Sequence, residues 1–105
     1  MSRKHEYRDY ILMDVLRDIP GIASKKLFSG WGIYKYGKIF GIIIDDELYF
    51  KTNENNLKYF EENGSHPFSF SRQGKIVFLP YWTLPDEIFS DEGKLIEWIE
   101  RSINC

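Results

Sequence analysis

The glycines at positions 30 and 32 are the residues whose type and spacing come nearest to a ligand-binding motif. They lie in the run Ser29-Gly30-Trp31-Gly32, and glycine-rich loops can cradle phosphate groups with their backbone N–H groups. The run has no G-x-G-x-x-G spacing and no following Lys-Ser/Thr pair, which the established phosphate-binding motifs require. We therefore expect these glycines to allow a sharp bend at the entry to a sheet, or the close approach of a helix or an aromatic ring.

The residue types that form metal sites and nucleophilic centres are scattered along the chain. His5 and His66 are far apart, and Asp45-Asp46-Glu47 is an acidic turn whose first and third carboxylates alone point to one side of a strand. No serine lies in a G-x-S-x-G elbow. The single cysteine, Cys105, is the last residue, where a base is seldom held beside a thiol. The sequence predicts no catalytic residue, no metal site and no cofactor.

Basic residues alternate with aromatic residues around the glycines. Lysines near Trp31 and Tyr34 resemble surfaces that bind single-stranded nucleic acid by stacking and phosphate contact. The chain has 14 basic and 16 acidic residues and a formal net charge of −2, which does not favour a broad phosphate-neutralising surface. A small nucleic-acid- or ligand-binding module is therefore the alternative hypothesis. Its candidate loop and basic patch are Lys25, Lys26, Gly30, Gly32 and Lys35.

Aromatic residues are frequent, with eight Phe, seven Tyr and three Trp. Large rings stabilise the core of a small domain, and they are also common anchors at protein interfaces. Trp31, Tyr81 and Trp82 fall at predicted strand ends or edges, where a ring is only half buried. We therefore predict that these three residues form the surface that contacts a protein partner.

The elements that must position these residues begin with a helix over 6–18, where apolar residues recur at helical spacing. Extended segments are predicted over 25–36, 39–44 and 47–51, joined by turns at their glycine and aspartate residues. The β-branched segment 39–44 is the predicted central strand. Gly41 within it predicts a bulge or a close approach by a neighbouring element.

The second half of the chain again contains a predicted helix followed by predicted strands. Thr52 and Asn53 can cap a helix that ends at Asn63-Gly64. A second hairpin is predicted with strands over 68–71 and 76–82. A helical turn opens near Pro85, and Ser90 or Asp91 caps the last helix. The resulting order, α-βββ-α-ββ-α, predicts an α+β fold with a single antiparallel sheet of about five strands and helices packed on it.

The bulk properties set the class of protein. The 105 residues are expected to form one domain, residues 1–105. A single cysteine excludes an internal disulfide and favours a reducing compartment. The longest apolar run, 39–44, is far too short to span a bilayer, and the charged start does not read as a signal peptide. We expect a cytoplasmic protein without a membrane segment.

Several segments in order resemble the N-terminal domain of the TfoX/Sxy family of bacterial competence regulators. The family pattern is a basic residue, apolar-Phe-Gly-Gly, any residue, Gly-Ile/Leu-Tyr, a glycine turn, an apolar strand and a Leu-Tyr-Leu/Phe-Lys segment. The resemblance covers about residues 7 to 102, with Leu27 in place of the usual Met and Ser29 in place of the first Gly. The matching segments are Lys26 to Tyr34, Gly37 to Gly41, Leu48 to Lys51, Phe60, Gly64, Pro67 to Phe70, Tyr81, Pro85, Glu87, Leu95 and Trp98.

The resemblance implies a function as well as a fold. It implies a non-enzymatic regulatory domain, a co-regulator of transcription that acts by protein–protein contact with a partner such as a transcription activator of the cyclic-AMP receptor type. Full competence regulators of this family carry a second, helical C-terminal domain, which lies outside this sequence. Direct nucleic-acid binding is not the expected mode of action. Homodimerisation through a sheet edge or a helix face is left open.

Overall fold

The computed structural model describes residues 6–27 and 29–104, so His5, Phe28 and Cys105 lie outside the described residues. Six strands form one antiparallel sheet in the order β1-β2-β3-β4-β6-β5, which confirms the predicted α+β class. The strands are β1 (Ile22–Leu27), β2 (Gly30–Lys35), β3 (Lys38–Ile44), β4 (Glu47–Lys51), β5 (Pro67–Arg72) and β6 (Lys75–Thr83).

The described helices are short apart from the last. They are α1 (Glu6–Tyr10), which continues as a π-helical segment (Ile11–Val15), α2 (Leu57–Glu61), α3 (Asp86–Phe89) and α4 (Glu92–Ile103). The Asp91 carboxylate accepts a hydrogen bond from the Lys94 N–H at 3.1 Å, which confirms one of the two predicted caps of the last helix. None of the described helices is long and apolar enough to cross a membrane.

The sheet has one strand more than the predicted number of about five. The segment 25–36, expected to be a single extended strand, folds back on itself, so that Leu27 lies opposite Gly30 and Ile22 lies opposite Lys35. The turn-forming pair Ser29-Gly30 in its middle was the available signal for this reversal. The additional strand, β1, forms one edge of the sheet.

Three predicted turns join neighbouring strands as tight hairpins. Their central residues all have positive φ: 48° and 81° at Tyr36-Gly37, 51° and 59° at Asp45-Asp46, and 51° and 78° at Gln73-Gly74. Two central residues with positive φ define the type I′ turn, whose twist matches that of the strands it joins. These turns fix the register of three of the hairpins in the sheet.

All the described helices pack on one face of the sheet, which we call the helix face. The core there contains Ile33, Leu48 and Phe50 from the strands, together with apolar residues from every helix. The rings of Phe60 and Trp98 meet edge to face at 4.6 Å between centroids. Because side chains alternate along a strand, the residues between these core positions point to the opposite side, which we call the open face.

Both predicted roles of Gly41 are present. Ile33 lies opposite Gly41 whereas Tyr34 lies opposite Ile39, so Phe40 is an extra residue in β3 and forms a bulge. A Cβ atom at Gly41 would also come within 2.9 Å of the Tyr49 carbonyl oxygen. β3 is an interior strand, as predicted, and the bulge brings Phe40 into the core.

Candidate functional site

The three aromatic residues of the predicted partner surface do not form one cluster. Trp31 in β2 and Trp82 in β6 are half buried against the core on the helix face, and strands β3 and β4 separate them. Tyr81 precedes Trp82 in the same strand and therefore points to the open face. The structure thus distributes Trp31, Tyr81 and Trp82 over two faces of the sheet.

The Trp31 ring is engaged by cations of its own chain. The Arg8 guanidinium of α1 lies 4.1 Å from the ring centroid, and the Lys26 ammonium of β1 lies 5.2 Å from it. Both distances are within the range of cation–π attraction. Trp31 therefore helps to hold α1 against the edge of the sheet.

The three lysines of the predicted basic patch are also separated. The Lys25 ammonium lies 5.3 Å from the Tyr34 ring centroid, on the open face. Lys26 and Lys35 point to the helix face, and the Lys35 Nζ atom is 3.0 Å from Glu100 Oε2 in α4. No single basic surface results from these lysines, so they do not support the alternative hypothesis of a nucleic-acid-binding patch.

Gly30 and Gly32 lie inside a strand rather than in a loop, which corrects the candidate binding loop. Both are buried in β2, where Gly32 is paired with β1 and with β3 and Gly30 is paired with β1. A Cβ atom at Gly30 would overlap the carbonyl oxygen of Ile43, and one at Gly32 would lie 3.1 Å from the Tyr34 ring. The close approach of neighbouring atoms, one of the two predicted roles, is present at both glycines.

An open depression lies beside the turn between β3 and β4. It is lined by Glu6, Tyr7, Tyr10 and Asp46. Burial, and then the nearby Glu47 carboxylate, raise the pKa of Tyr7 from 10.0 to about 12. Among the described residues, no group of three or more His, Cys, Asp or Glu side chains is placed to hold a metal ion.

The raised pKa of Tyr7 predicts a loss of stability at high pH. The phenol ionises near 10.0 in the unfolded chain and near 12 in the folded one, so its contribution is complete below pH 10 and declines as the pH rises from 10 to 12. In Tyr7→Phe we expect a shallower decline of the unfolding midpoint over this interval, measured by thermal unfolding followed by circular dichroism. Equal slopes for Tyr7→Phe and the unchanged protein would contradict this assignment.

The sequence did not predict one exposed surface, which is the turn end of the hairpin formed by β5 and β6. β6 pairs with β4 only through Tyr81, Trp82 and Thr83. It pairs with β5 at Trp82 and again from Lys75 to Phe78, with an irregularity between these two parts. Residues 69–79 therefore extend beyond the other four strands as a two-stranded ribbon, which we call the arm. A two-stranded hairpin with no further layer gains little stability by itself.

The arm exposes apolar side chains on both of its faces. Ile76 is 68% exposed and Phe78 is 63% exposed, and they lie opposite Ser71 and Ser69 on the helix-face side. Phe70, 38% exposed, points to the open-face side. Neighbouring exposed apolar side chains mark interaction sites in soluble proteins. The available signal was the continuous apolar run from Ile76 to Leu79, typical of a strand covered on both faces.

These features define a two-layer α+β domain whose most distinctive exposed chemistry is an apolar arm. The family model of the TfoX N-terminal domain matches residues 14–105. The chain therefore belongs to the TfoX N-terminal domain family, which confirms the resemblance found in the sequence. No curated protein matches the chain.

Proposed function

We propose that this domain is a non-enzymatic regulatory module of the cytoplasm, a co-regulator of transcription that acts by binding a transcription activator. The exposure of Ile76 and Phe78 on the arm is the observation that carries the proposal. Membership of the TfoX N-terminal domain family supports a regulatory role in the coarse sense. The arm replaces the group Trp31, Tyr81 and Trp82 as the proposed contact surface.

The geometry of the arm suits an apolar anchor. Ile76 and Phe78 are two residues apart on one strand, so their Cα atoms are about 7 Å apart and their side chains share a face. The residues opposite them are serines. Because serine side chains are small, the two apolar side chains protrude from this surface of the arm. Large apolar side chains that enter a pocket at the centre of an interface commonly supply most of the binding energy.

The charge of the arm indicates the kind of groove that it fits. Within residues 69–79 the only charged side chains are Arg72 and Lys75, both basic. Since the whole chain has 14 basic and 16 acidic residues, the remainder has 12 basic and 16 acidic residues and a formal charge of −4. Both alternate with Ser71 and Ile76 along their strands and therefore point to the open-face side. The surface around Ile76 and Phe78 on the helix-face side of the arm is uncharged, and it is complementary to an apolar groove.

Calorimetric titration of the domain with a purified activator of the cyclic-AMP receptor type tests the proposal. We expect saturable binding of the activator that depends little on salt, because uncharged apolar side chains dominate the contact. The same domain titrated with duplex DNA alone is expected to give no binding. Absence of activator binding, or DNA binding that falls steeply with salt as in phosphate recognition, would contradict the proposal.

A further inference from the structure

The two edges of the sheet differ in how they are protected. Edge strands of soluble proteins usually carry charged side chains, especially lysine, that oppose pairing with another chain. β1 has Lys25 and Lys26 at its exposed positions. β5 has the sequence PFSFSR, in which the only charge, Arg72, is the last residue of the strand. Apart from Pro67 at its start, the β5 edge therefore has no proline or charged residue before Arg72, whereas the β1 edge has two lysines.

The backbone geometry of β5 shows which groups are available at this edge. The two-residue turn Gln73-Gly74 makes Arg72 and Lys75 a hydrogen-bonded pair, because type I′ hairpins of this length close in that way. Backbone groups alternate in direction along an antiparallel strand. Phe70 and Arg72 therefore direct their N–H and C=O groups to β6, whereas Ser69 and Ser71 direct theirs outward from the sheet.

We infer that two copies of this domain pair through β5, antiparallel about a two-fold axis at Phe70, so that the two sheets become one. In this register Ser69 lies opposite the partner's Ser71, and the two symmetry-related pairs form four backbone hydrogen bonds. A register centred on Ser69 would place Pro67 opposite the partner's Ser71. Proline has no N–H group, so each of the two symmetry-related pairs would lose one bond and this register would also form four. The contact of Arg72 with the partner's Phe68, which only the register centred on Phe70 allows, distinguishes the two registers.

The side chains of the open face favour the same register. The rings of Tyr49 and Phe68 meet edge to face at 5.3 Å, and those of Phe68 and Phe70 stack at 6.2 Å. Pairing at Phe70 continues this aromatic row into the partner, because side chains of a non-hydrogen-bonded pair are the closest across a ladder. Arg72 then lies opposite the partner's Phe68, where a cation–π contact stabilises the pair.

The pairing goes beyond the proposed function and does not depend on it. Ile76 and Phe78 lie on β6 and on the helix-face side of the arm, so the dimer leaves them exposed. Three strand spacings separate β6 from the partner's β6, a distance of about 14 Å. The dimer therefore presents two apolar anchors on one surface, which fits a partner that is itself two-fold symmetric.

The mass of the domain in solution, measured by sedimentation over a range of concentrations, tests the pairing. We expect a monomer–dimer equilibrium, which Phe70→Lys shifts to monomer because two like charges would then lie directly opposite each other. Ile76→Lys is the matched control, because it introduces the same lysine on the same arm away from the edge, and it is expected to leave the dimer intact. A monomer at every concentration, or a dimer that Phe70→Lys does not weaken, would overturn the inference.

Disulfide trapping tests the register independently of the effect of Phe70→Lys on folding. With Cys105 replaced by serine, Phe70→Cys is expected to form an intermolecular disulfide on mild oxidation. The two-fold axis places the Cβ atoms of residue 70 in the two copies about 5 Å apart. Ser71→Cys is expected not to form one, because the residue opposite it in the other copy is Ser69, which has no thiol. Crosslinking of Ser71→Cys but not of Phe70→Cys would overturn the register. If the mass and trapping results are as expected but activator binding is absent, the dimer stands and the proposed function fails.

Discussion

Replacement of Gly30 by alanine is expected to lower the free energy of unfolding by about 2–4 kcal/mol. The new Cβ atom would overlap the carbonyl oxygen of Ile43, a backbone atom of the neighbouring strand that cannot move without disturbing the pairing of β2 and β3. Chemical denaturation followed by tryptophan fluorescence measures the change. The three tryptophans of the chain provide the signal.

Gly93→Ala is the matched control for this substitution. Gly93 lies in the first turn of α4, where a Cβ atom would meet only Asp91 Oδ1 at an ordinary 3.5 Å. Because alanine is the better helix former, this variant is expected to gain up to about 1 kcal/mol. The same change of residue should therefore have opposite effects at the two sites. Equal stabilities for the two variants would contradict the described approach of β2 to β3.

The combined substitution Ile76→Ser and Phe78→Ser is expected to weaken binding of the activator at least about 30-fold, the effect of losing a contact of about 2 kcal/mol. Both side chains are more than 60% exposed, so their removal costs the folded domain little. Calorimetric titration measures the affinity. Thermal unfolding shows whether the domain remains folded.

Met13→Ser is the control for a general loss of surface hydrophobicity. Met13 is 66% exposed and lies in the π-helical segment, outside the arm, so its replacement is expected to leave the affinity unchanged. A loss of affinity similar to that of the double arm variant would show that binding does not require the arm. An unchanged affinity of the double variant would contradict the assignment of the contact surface.

Local signals in the sequence predicted most of the fold. The turns at Asp45-Asp46 and Gln73-Gly74 and the cap at Asp91 are determined by residues close together in the chain, so their sequence pattern was sufficient. The extended character of both parts of 25–36 predicts one strand, whereas in the structure the segment is divided between β1 and β2. Whether an extended segment reverses depends on a short turn whose signal, Ser29-Gly30, is weak by itself.

The contact surface could not be predicted in the same way. The apolar run from Ile76 to Leu79 indicates a strand that is covered on both faces, but the sequence does not show whether the cover belongs to the same chain. The exposure of Ile76 follows from β6 extending beyond β4, which is a consequence of register between distant segments. The residue type of Trp31 predicts a contact surface, but the engagement of its ring by Arg8 depends on the docking of α1.

Titration of the isotopically labelled domain with the activator, followed by NMR of its backbone amides, locates the contact surface residue by residue. We expect the largest shifts or line broadening in residues 69–79, with the strongest effects around Ile76 and Phe78. Changes confined to β1 and β2, around Lys25, Lys26 and Trp31, would contradict this expectation, because the contact surface would then lie at the opposite edge of the sheet.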